Sequence, residues 1–374
     1  MSNKLISASL VCIAIGTSTA HAQDASQTTY KFSAFGTFSA SHSSEKNGDY
    51  VPDGTLPQGA GRSHDWATGN DSRLGLQAFA DFTPQIKGVL QVETEYDADN
   101  TYAPHVEWAS LRYAFTSNLN VRVGRIGVPT FLNSDNRDVG YSYPWVHPPI
   151  ELYRQLALSH SDGIDGSYRF YVGEATDTLK ALYGSSRNDF PNRTTTSRDI
   201  WGVFNTVEFG DTSFRIGYQS RQDSTLSNST GIAGPWIKDD DLSAGVSYDP
   251  GNWFLISEWL KRQSTIKKQA MYISSGIRMA QFTPYLTYSR DTAASFLPGF
   301  PPPDAAAVAR ARDAQSTVSF GTRWDFMKNV DLKVQYDRVK VSADSNGHLI
   351  NVPSGVVLYG DTFHVFTVAV DFIY

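Results

Sequence analysis

The side chains best suited to nucleophilic chemistry in this 374-residue chain do not form a catalytic pattern. His160, Ser161 and Asp162 have the side-chain types of a hydrolase triad. Adjacent residues on an extended strand point to opposite faces, so these three cannot form a triad among themselves. The sequence also has no GxSxG, HExxH or phosphate-binding glycine motif, and its eight histidines are not at metal-ligand spacing. We therefore predict that the chain is not an enzyme and uses no cofactor or metal.

The charged residues indicate a role in attracting ions rather than in a reaction. Arg73 and Arg112 fall on polar faces when their segments are read as strands. Arg122 and Arg125, three residues apart, can share a face only if Gly124 supplies a bulge. The other residues that we assign to polar faces are Arg169, Arg215, Arg278, Arg323, Glu93 and Glu95. Because these residues are spread over eight of the predicted segments, their role depends on the elements that position them.

Polar and apolar residues alternate along several segments, which is typical of strands whose two faces meet different surroundings. In 363–374, FHVFTVAVDFIY, Phe366 and Val368 lie on one face, whereas Thr367 and Asp371 lie on the other. The same alternation recurs in 214–221, 242–249, 271–278, 318–325 and 330–337. A soluble β-sandwich has the same period, so alternation alone does not identify a membrane protein.

The lengths of the connections favour a barrel over a sandwich. Short links such as 210–211 and 250–251 alternate with mostly longer ones such as 129–159 and 223–238, which places turns on one side and loops on the other. The predicted strands are 28–40, 70–82, 87–97, 105–115, 119–128, 160–172, 176–187, 198–209, 212–222, 239–249, 252–262, 269–279, 283–292, 314–326, 330–341 and 361–374. Most have about the ten residues that a tilted strand needs to cross a bilayer. We therefore predict an all-β, sixteen-stranded antiparallel transmembrane β-barrel.

Residues 1–22 have the features of a secretory signal peptide, with Lys4 near the start, an apolar run over 5–15 and a small-residue ending at Ala22. The barrel domain would then be 23–374. A membrane anchor is the alternative, but the apolar run is too short to span a bilayer. The only cysteine lies in this signal, and the net charge of −6 offers no basic stripe for nucleic acid. We therefore expect no disulfide and no nucleic-acid partner.

Three features of the sequence resemble the general porins of Gram-negative bacteria. They are 72–79, SRLGLQAF, the run 110–125, SLRYAFTSNLNVRVGR, before the longest internal loop, and a C-terminal strand that ends in an aromatic residue. That residue is Tyr374, where the family usually has Phe, and the proline-rich third loop is unlike that of enteric members. The resemblance implies a homotrimer in the outer membrane, surrounded by its lipid. Residues 252–260, NWFLISEWL, are apolar on both faces and are a candidate for a subunit contact.

The third loop, 129–159, contains DVGYSYPWVHPPIELY, and its prolines stiffen it because each fixes φ and removes a hydrogen-bond donor. The resemblance implies that this loop folds into the barrel, whose lumen would otherwise be a wide aqueous channel. We predict that Asp135, Asp138 and Glu151 offer carboxylates to the pore there. Opposite them, the resemblance implies a basic ladder. The predicted constriction comprises Arg73, Arg112, Arg122, Arg125, Asp135, Asp138 and Glu151, and the pore wall comprises Glu93, Glu95, Arg169, Arg215, Arg278 and Arg323.

These features predict a passive outer-membrane diffusion channel for small hydrophilic solutes and ions. Opposite charges across a constriction would create a transverse field, and selectivity would follow from pore size and charge balance. A substrate-specific uptake channel of the same architecture is the alternative, and it would show saturable block by its solute. The loop could instead cover the barrel mouth from outside or contact a neighbouring subunit. A soluble or surface-attached β-sandwich is the remaining alternative.

Overall fold

The computed structural model describes residues 28–156, 158–292, 295–296, 313–343 and 345–374. The predicted signal peptide and most of the predicted loop 293–313 lie outside the described residues. Within the described ranges, sixteen long antiparallel strands form one sheet. They are β1 (Thr29–Ser43), β2 (Arg73–Asp81), β3 (Ile86–Glu95), β4 (His105–Ala114), β5 (Leu119–Gly127), β6 (His160–Val172), β7 (Ala175–Phe190), β8 (Arg193–Phe209), β9 (Thr212–Ser227), β10 (Ile237–Tyr248), β11 (Trp253–Gln263), β12 (Ile266–Ile277), β13 (Phe282–Asp291), β14 (Gln315–Met327), β15 (Val330–Val341) and β16 (Thr362–Ile373).

Strand β1 closes the sheet, because it pairs with β2 on one side and with β16 on the other. Gly36 lies opposite Leu74 of β2 and also opposite Phe372 of β16. The N–H of Ala34 donates to the carbonyl of Tyr374 at 2.9 Å, and the N–H of Tyr374 donates to the carbonyl of Ala34 at 2.7 Å. Each of the sixteen described strands therefore has two neighbours, as a sheet in lipid requires. This confirms the predicted sixteen-stranded antiparallel barrel.

The two faces of the sheet have opposite character. On one face large apolar side chains are exposed, and Phe32 and Phe320 keep 75% and 60% of their surface accessible. On the other face polar side chains such as Thr367 and Lys333 are fully buried. We call these the outward face and the buried face, and residues alternate between them along each strand. No helix in the described ranges is long and apolar enough to cross a membrane.

Two of the predicted long connections are wrong. Residues 188–197 were predicted as a loop, but β7 and β8 continue to a turn at 191–192. Likewise, 263–268 is reduced to a turn at 264–265 between β11 and β12. In the first case the run from Thr194 to Thr196 is β-branched, which suits a pleated strand and extends the hairpin.

The largest apolar cluster lies between the 129–159 segment and the buried face of β11 to β13. Phe254 and Leu260 of β11 belong to this cluster and are 2% and 1% exposed. On the outward face of the same strand, Trp253 stays 38% exposed. The segment 252–260 is therefore apolar on its buried face because that face packs within the chain, while its predicted subunit contact stays a prediction.

Candidate functional site

Within its described residues the 129–159 segment contains three short helical turns, and Pro144, Pro148 and Pro149 separate the second turn from the third. Residues Ser134–Asn136 and Gly140–Ser142 form single 3-10 turns, and Ile150–Tyr153 forms one α-helical turn, α1. Pro149 immediately precedes α1, where its missing N–H removes no helical hydrogen bond. The prolines therefore start and separate turns, and the segment presents side chains on several sides.

Aromatic residues of this segment pack against aromatic residues of the barrel wall. Trp145 is 1% exposed, and its ring meets that of Tyr272 edge-on, with 5.8 Å between the centroids. Phe131 and Tyr153 pack together at 4.5 Å and belong to the same cluster. The Nε1–H of Trp145 also donates to Oγ of Ser274 at 2.8 Å, which satisfies the buried indole.

A buried carboxylate on β11 fastens the segment to the wall. Glu258 accepts hydrogen bonds from the N–H of Leu132 at 2.7 Å and from the hydroxyls of Tyr153 at 2.8 Å and Tyr272 at 2.7 Å. It is 3% exposed, so these three donors replace the water that a carboxylate otherwise requires. Glu258 thus links the segment and two strands through one side chain.

Glu151 has a different environment from the one that we predicted. It is 1% exposed, and its carboxylate accepts hydrogen bonds from Ser289 at 2.5 Å, from Gln315 at 2.7 Å and from Thr317. These partners come from β13 and β14, towards which α1 turns the side chain. The prediction that Glu151 offers its carboxylate to the pore is therefore corrected: the residue attaches the segment to the wall.

Two of the arginines assigned to the pore wall also hold the segment. Arg323 donates to the carbonyl of Tyr141 at 2.5 Å, and Arg215 donates to the carbonyl of Phe131. Lys333, on β15, donates to another backbone carbonyl of the segment at 2.6 Å. These cations add hydrogen bonds to backbone carbonyls of the segment and so fix it to the wall.

A hydrogen-bonded chain connects the segment to the long connection between β1 and β2. Nδ1 of His147 lies 3.0 Å from Oδ1 of Asp71, and Nε2 lies 3.0 Å from the hydroxyl oxygen of Tyr50. Burial disfavours the charged imidazole, but the Asp71 carboxylate outweighs burial and raises the pKa of His147. The protonated ring can donate through both nitrogens, so the hydrogen bonds to Asp71 and Tyr50 are strongest when His147 is charged.

Asp138 lies beside Arg73, and both belong to the predicted constriction. Nη1 of Arg73 is 2.5 Å from Asp138, and Nη2 is 3.3 Å from Glu95 on the neighbouring strand. Glu93, two residues away on the same face, is 2% exposed and accepts a hydrogen bond from Gln91. The structure therefore brings these predicted residues together as one cluster of mixed charge.

Asp135 faces a second, more basic cluster. Burial opposes ionisation of this half-buried carboxyl, but the charges of Lys180, Arg215 and Arg122 outweigh it and lower the pKa of Asp135. Arg122 is itself paired with Asp165 across the β5–β6 ladder, with Nε 3.0 Å from Oδ1. Asp135 is therefore ionised close to three cations of the wall.

Arg125 does not belong to either cluster. It lies opposite Asp162, with Nε 2.8 Å from Oδ1, on the face where Val123 is 55% exposed. Gly124 has a φ of +126°, yet the pairing of β5 continues without a register shift. Residues three apart on a regular strand point to opposite faces, so placing Arg125 in the constriction with Arg122 was wrong.

The remaining predicted arginines are spread around the turn side of the barrel. Arg112 lies opposite Lys87 on one neighbouring strand and opposite Arg122 on the other. Arg169 is exposed near the end of β6. Arg278 follows the end of β12 and pairs with Asp249 at 2.6 Å, so it lies at a turn rather than in mid-strand.

Sequence reasoning missed Lys180 and Glu258, which both contribute to the site. Lys180 shares its inward face with Thr178, Leu182 and Ser186, so this face is largely polar in the sequence. Glu258 was missed because Phe254 and Leu260, on the same face of β11, make that face look apolar in the sequence. A carboxylate among apolar residues of one face was the signal for Glu258, and the alternation of polar residues along β7 was the signal for Lys180. Among the described residues, no group of three or more His, Cys, Asp or Glu side chains could hold a metal ion.

Comparisons with known proteins concern the family and the fold of the chain. A family model described as Gram-negative porin matches residues 8–348. No curated protein matches the chain.

Several solved structures share the fold at low sequence identity. The trimer form of in-vitro folded OmpT, an outer membrane protein of Vibrio cholerae, has a TM-score of 0.59 at 12% identity, covering 93% of this chain and 99% of that one. The anion-selective porin from Comamonas acidovorans has a TM-score of 0.58 at 16% identity, covering 93% and 100%. The complex of Salmonella typhi OmpF with daunomycin has a TM-score of 0.57 at 12% identity, covering 92% and 98%.

Proposed function

Because this chain belongs to the Gram-negative porin family, whose members are outer-membrane channels, we propose that it is a passive diffusion channel for small hydrophilic solutes and ions, narrowed by its 129–159 segment. The family and the fold are those of channels without enzymatic activity, and we extend this to the chain itself. Three parts of this proposal go beyond the family. They are the narrowing of the channel by the segment, the class of solute and the roles of the charged residues.

The observation that carries the proposal is the attachment of the 129–159 segment to the buried face of the sheet. Its partners include Ser274 on β12, Glu258 on β11 and Thr317 on β14, and Asp138 reaches Arg73 on β2. In a closed barrel with an apolar outward face, the buried face is the lumen side. A segment fixed to strands so far apart around the ring crosses the lumen and reduces its width.

The charged side chains of the segment and of the facing wall support selection of solutes by charge as well as by size. Asp135 lies among Lys180, Arg215 and Arg122, and Asp138 lies beside Arg73. Acidic groups on the segment then oppose basic groups on the wall, and a transverse field acts on solutes that pass between them. Small polar molecules can align with this field, whereas apolar ones lose hydration without compensation.

We extend the proposal to targeting and assembly. Cleavage of the signal peptide after Ala22 would release the barrel domain 23–374 for export to the outer membrane, where lipid surrounds its outward face. The OmpT structure is described as a trimer form, and we propose a homotrimer for this chain too. Chemical crosslinking of the purified protein followed by mass measurement tests the oligomer directly.

Conductance in planar bilayers tests the function. The purified mature protein should give stable channels whose current rises in proportion to salt concentration, with a reproducible size limit for neutral sugars. A substrate-specific uptake channel would instead show saturable block of the current by one solute class. Absence of channels from correctly folded protein would overturn both readings.

A further inference from the structure

The connection between β1 and β2, residues 44–72, packs against the buried face of the sheet near the long connections. Tyr50 is 4% exposed, and its ring meets that of Phe363 on β16 at 67°, with 6.5 Å between the centroids. Both residues belong to one apolar cluster with Val339 of β15. The connection is therefore anchored on the β15–β16 side of the ring, inside the mouth of the barrel.

The 129–159 segment holds this connection at two further points. Nη1 of Arg154, which follows α1, donates to the carbonyl of Val51 at 3.0 Å. Nη2 of Arg137 lies 3.7 Å from Oδ2 of Asp53. Guanidinium groups interact strongly with carbonyl and carboxylate oxygens, so both arginines keep the connection beside the segment. The connection therefore has a fixed position in the mouth.

On the other side of the ring, the hairpin of β7 and β8 projects beyond its neighbour β6. Strand β7 pairs with β6 only as far as Ser185, opposite Asp162, but it pairs with β8 up to Phe190. Residues 186–197 therefore extend past the rim that β6 forms. Phe190 lies at the tip, on the same face as Ser186, which is 3% exposed. Its ring is thus on the side of the barrel axis.

The connection and the hairpin meet at Gly54. A Cβ atom placed on Gly54 would lie 4.0 Å from Cε1 of Phe190 and 3.5 Å from Nε of Arg154. Strands β7 and β15 are eight strands apart in a ring of sixteen, so the anchors of the two structures lie on opposite sides of the barrel. A contact between them must cross the mouth. We call the part 49–60 of the connection, together with the hairpin 186–197, the bridge.

From this geometry we infer that the bridge is a second size-selecting element of the channel, in series with the 129–159 segment. The inference rests on the proposed function, since it requires that solutes diffuse through the lumen. The long connections of bacterial barrels lie on the cell exterior, so an entering solute meets the bridge first. Hydrated ions and small sugars pass beside it, whereas bulky solutes are excluded by its fixed side chains, among them Phe190.

Crosslinking of two introduced cysteines tests the contact itself. The only cysteine of the chain is Cys12, in the predicted signal peptide, so the barrel domain carries no competing thiol. The pair Gly54→Cys, Phe190→Cys should be joined by a short bismaleimide in the purified, folded barrel, as detected by mass spectrometry of a digest. The matched control is Glu174→Cys, Phe190→Cys, whose positions lie at opposite ends of β7, roughly 50 Å apart. Equal crosslinking of both pairs, or of neither, would overturn the bridge.

Removal of the bridge tests its function. Deletion of Pro52 to Pro57 should raise single-channel conductance by up to about twofold, the limit for removing one of two equal resistances in series. It should also raise the size limit for neutral sugars in liposome swelling. Phe190→Ala should shift both quantities in the same direction by less, whereas the matched control Phe320→Ala, on the outward face, should leave both unchanged. The change of gel mobility on heating verifies the folding of each variant.

Comparison with a deletion of Tyr141 to Pro149 separates this inference from the proposed function. If the bridge selects solutes, each deletion alone raises conductance, and the two together raise it further. If the variants of the bridge have no effect while the Tyr141 to Pro149 deletion acts, the inference is overturned and the proposed narrowing is retained. If correctly folded wild type forms no channels, the proposed function fails, and the inference fails with it.

Discussion

Trp145 and Ser274 are 129 positions apart in the chain, yet the indole N–H of one donates to the hydroxyl oxygen of the other at 2.8 Å. Ser274 also contacts Thr287 on the neighbouring strand at 2.7 Å, so the indole joins a short polar chain along the wall. A large aromatic residue in a proline-rich segment is therefore held by specific polar contacts as well as by packing. This attachment underlies the first prediction.

Deletion of Tyr141 to Pro149 should raise single-channel conductance and the size limit for neutral sugars. The deletion removes Trp145 and its neighbours, which are part of the obstruction that we propose. Bilayer recordings and liposome swelling measure the two quantities. A lid outside the mouth would behave differently, with nearly unchanged conductance and altered gating, and that result would contradict the proposed narrowing.

Charge substitutions at the segment should move ion selectivity in opposite directions. Asp135→Asn removes a carboxylate beside three cations and should shift the reversal potential towards anion selectivity, whereas Lys180→Gln should shift it towards cation selectivity. Arg125→Gln, on the outward face, is the matched control and should have little effect. These shifts should shrink as the Debye length falls to about 3 Å at 1 M salt. Unchanged potentials at low salt for both lumen variants would place the constriction elsewhere.

Replacing Glu258 by Ala should loosen the 129–159 segment and lower the stability of the barrel. Three donors, from Leu132, Tyr153 and Tyr272, would lose their acceptor. Each buried donor left unsatisfied costs about 1–3 kcal/mol. The temperature of the gel-mobility change on heating should fall, and open-channel current noise should increase. Glu174→Ala, at an exposed turn, is the control and should leave both nearly unchanged.

The hydrogen bonds of His147 to Asp71 and Tyr50 should stabilise the fold more at acidic pH than at alkaline pH. Its pKa is raised in the folded chain, because Asp71 outweighs burial. The stabilisation is therefore complete below the usual histidine pKa of about 6.5 and is lost as pH rises through the raised value. The difference in unfolding temperature between wild type and His147→Gln should thus be larger at pH about 6 than at pH about 9. His64→Gln, at an exposed histidine, should show no such trend. An equal difference at both pH values would contradict a charged His147.

The C-terminal aromatic residues should matter for assembly. Phe372 stacks on Phe38 of β1 with 6.3 Å between centroids, and Tyr374 is 87% exposed on the outward side. Changing both to Ser removes two large apolar groups from the surface that meets lipid. The double variant should reach the outer membrane at clearly lower levels, as measured by blotting membrane fractions, and normal levels would count against this role.

The fold was predictable because the features that identify each strand lie within the strand and its flanking residues. Alternation, turn residues and connection length are readable within a dozen residues, and they placed all sixteen strands. The errors at 188–197 and 263–268 arose where strands continue beyond the bilayer, so no change of solvent marks their ends.

The site was only partly predictable, because its contacts depend on which strands meet the 129–159 segment. Parity alone placed Arg73 on the buried face, but it could not show that Glu151 would turn to hydroxyls on β13 and β14. Lys180 lies on a largely polar face of β7, but only the folded structure shows that it is close to Asp135 of the segment. Contacts between residues a hundred or more positions apart have no local signature.

The pairing of Ala34 with Tyr374 also determines when the barrel can form. The partner of β1 is β16, the strand of the barrel that lies farthest from it along the chain, so the ring cannot close before both strands have been exported. Until then β1 has only one neighbouring strand available, and its other edge can pair with another chain. Loops with such distant ends also close slowly compared with local hairpins. The cell must therefore keep the exported chain from aggregating until β16 can pair with β1, so closure of the ring is a late step in folding.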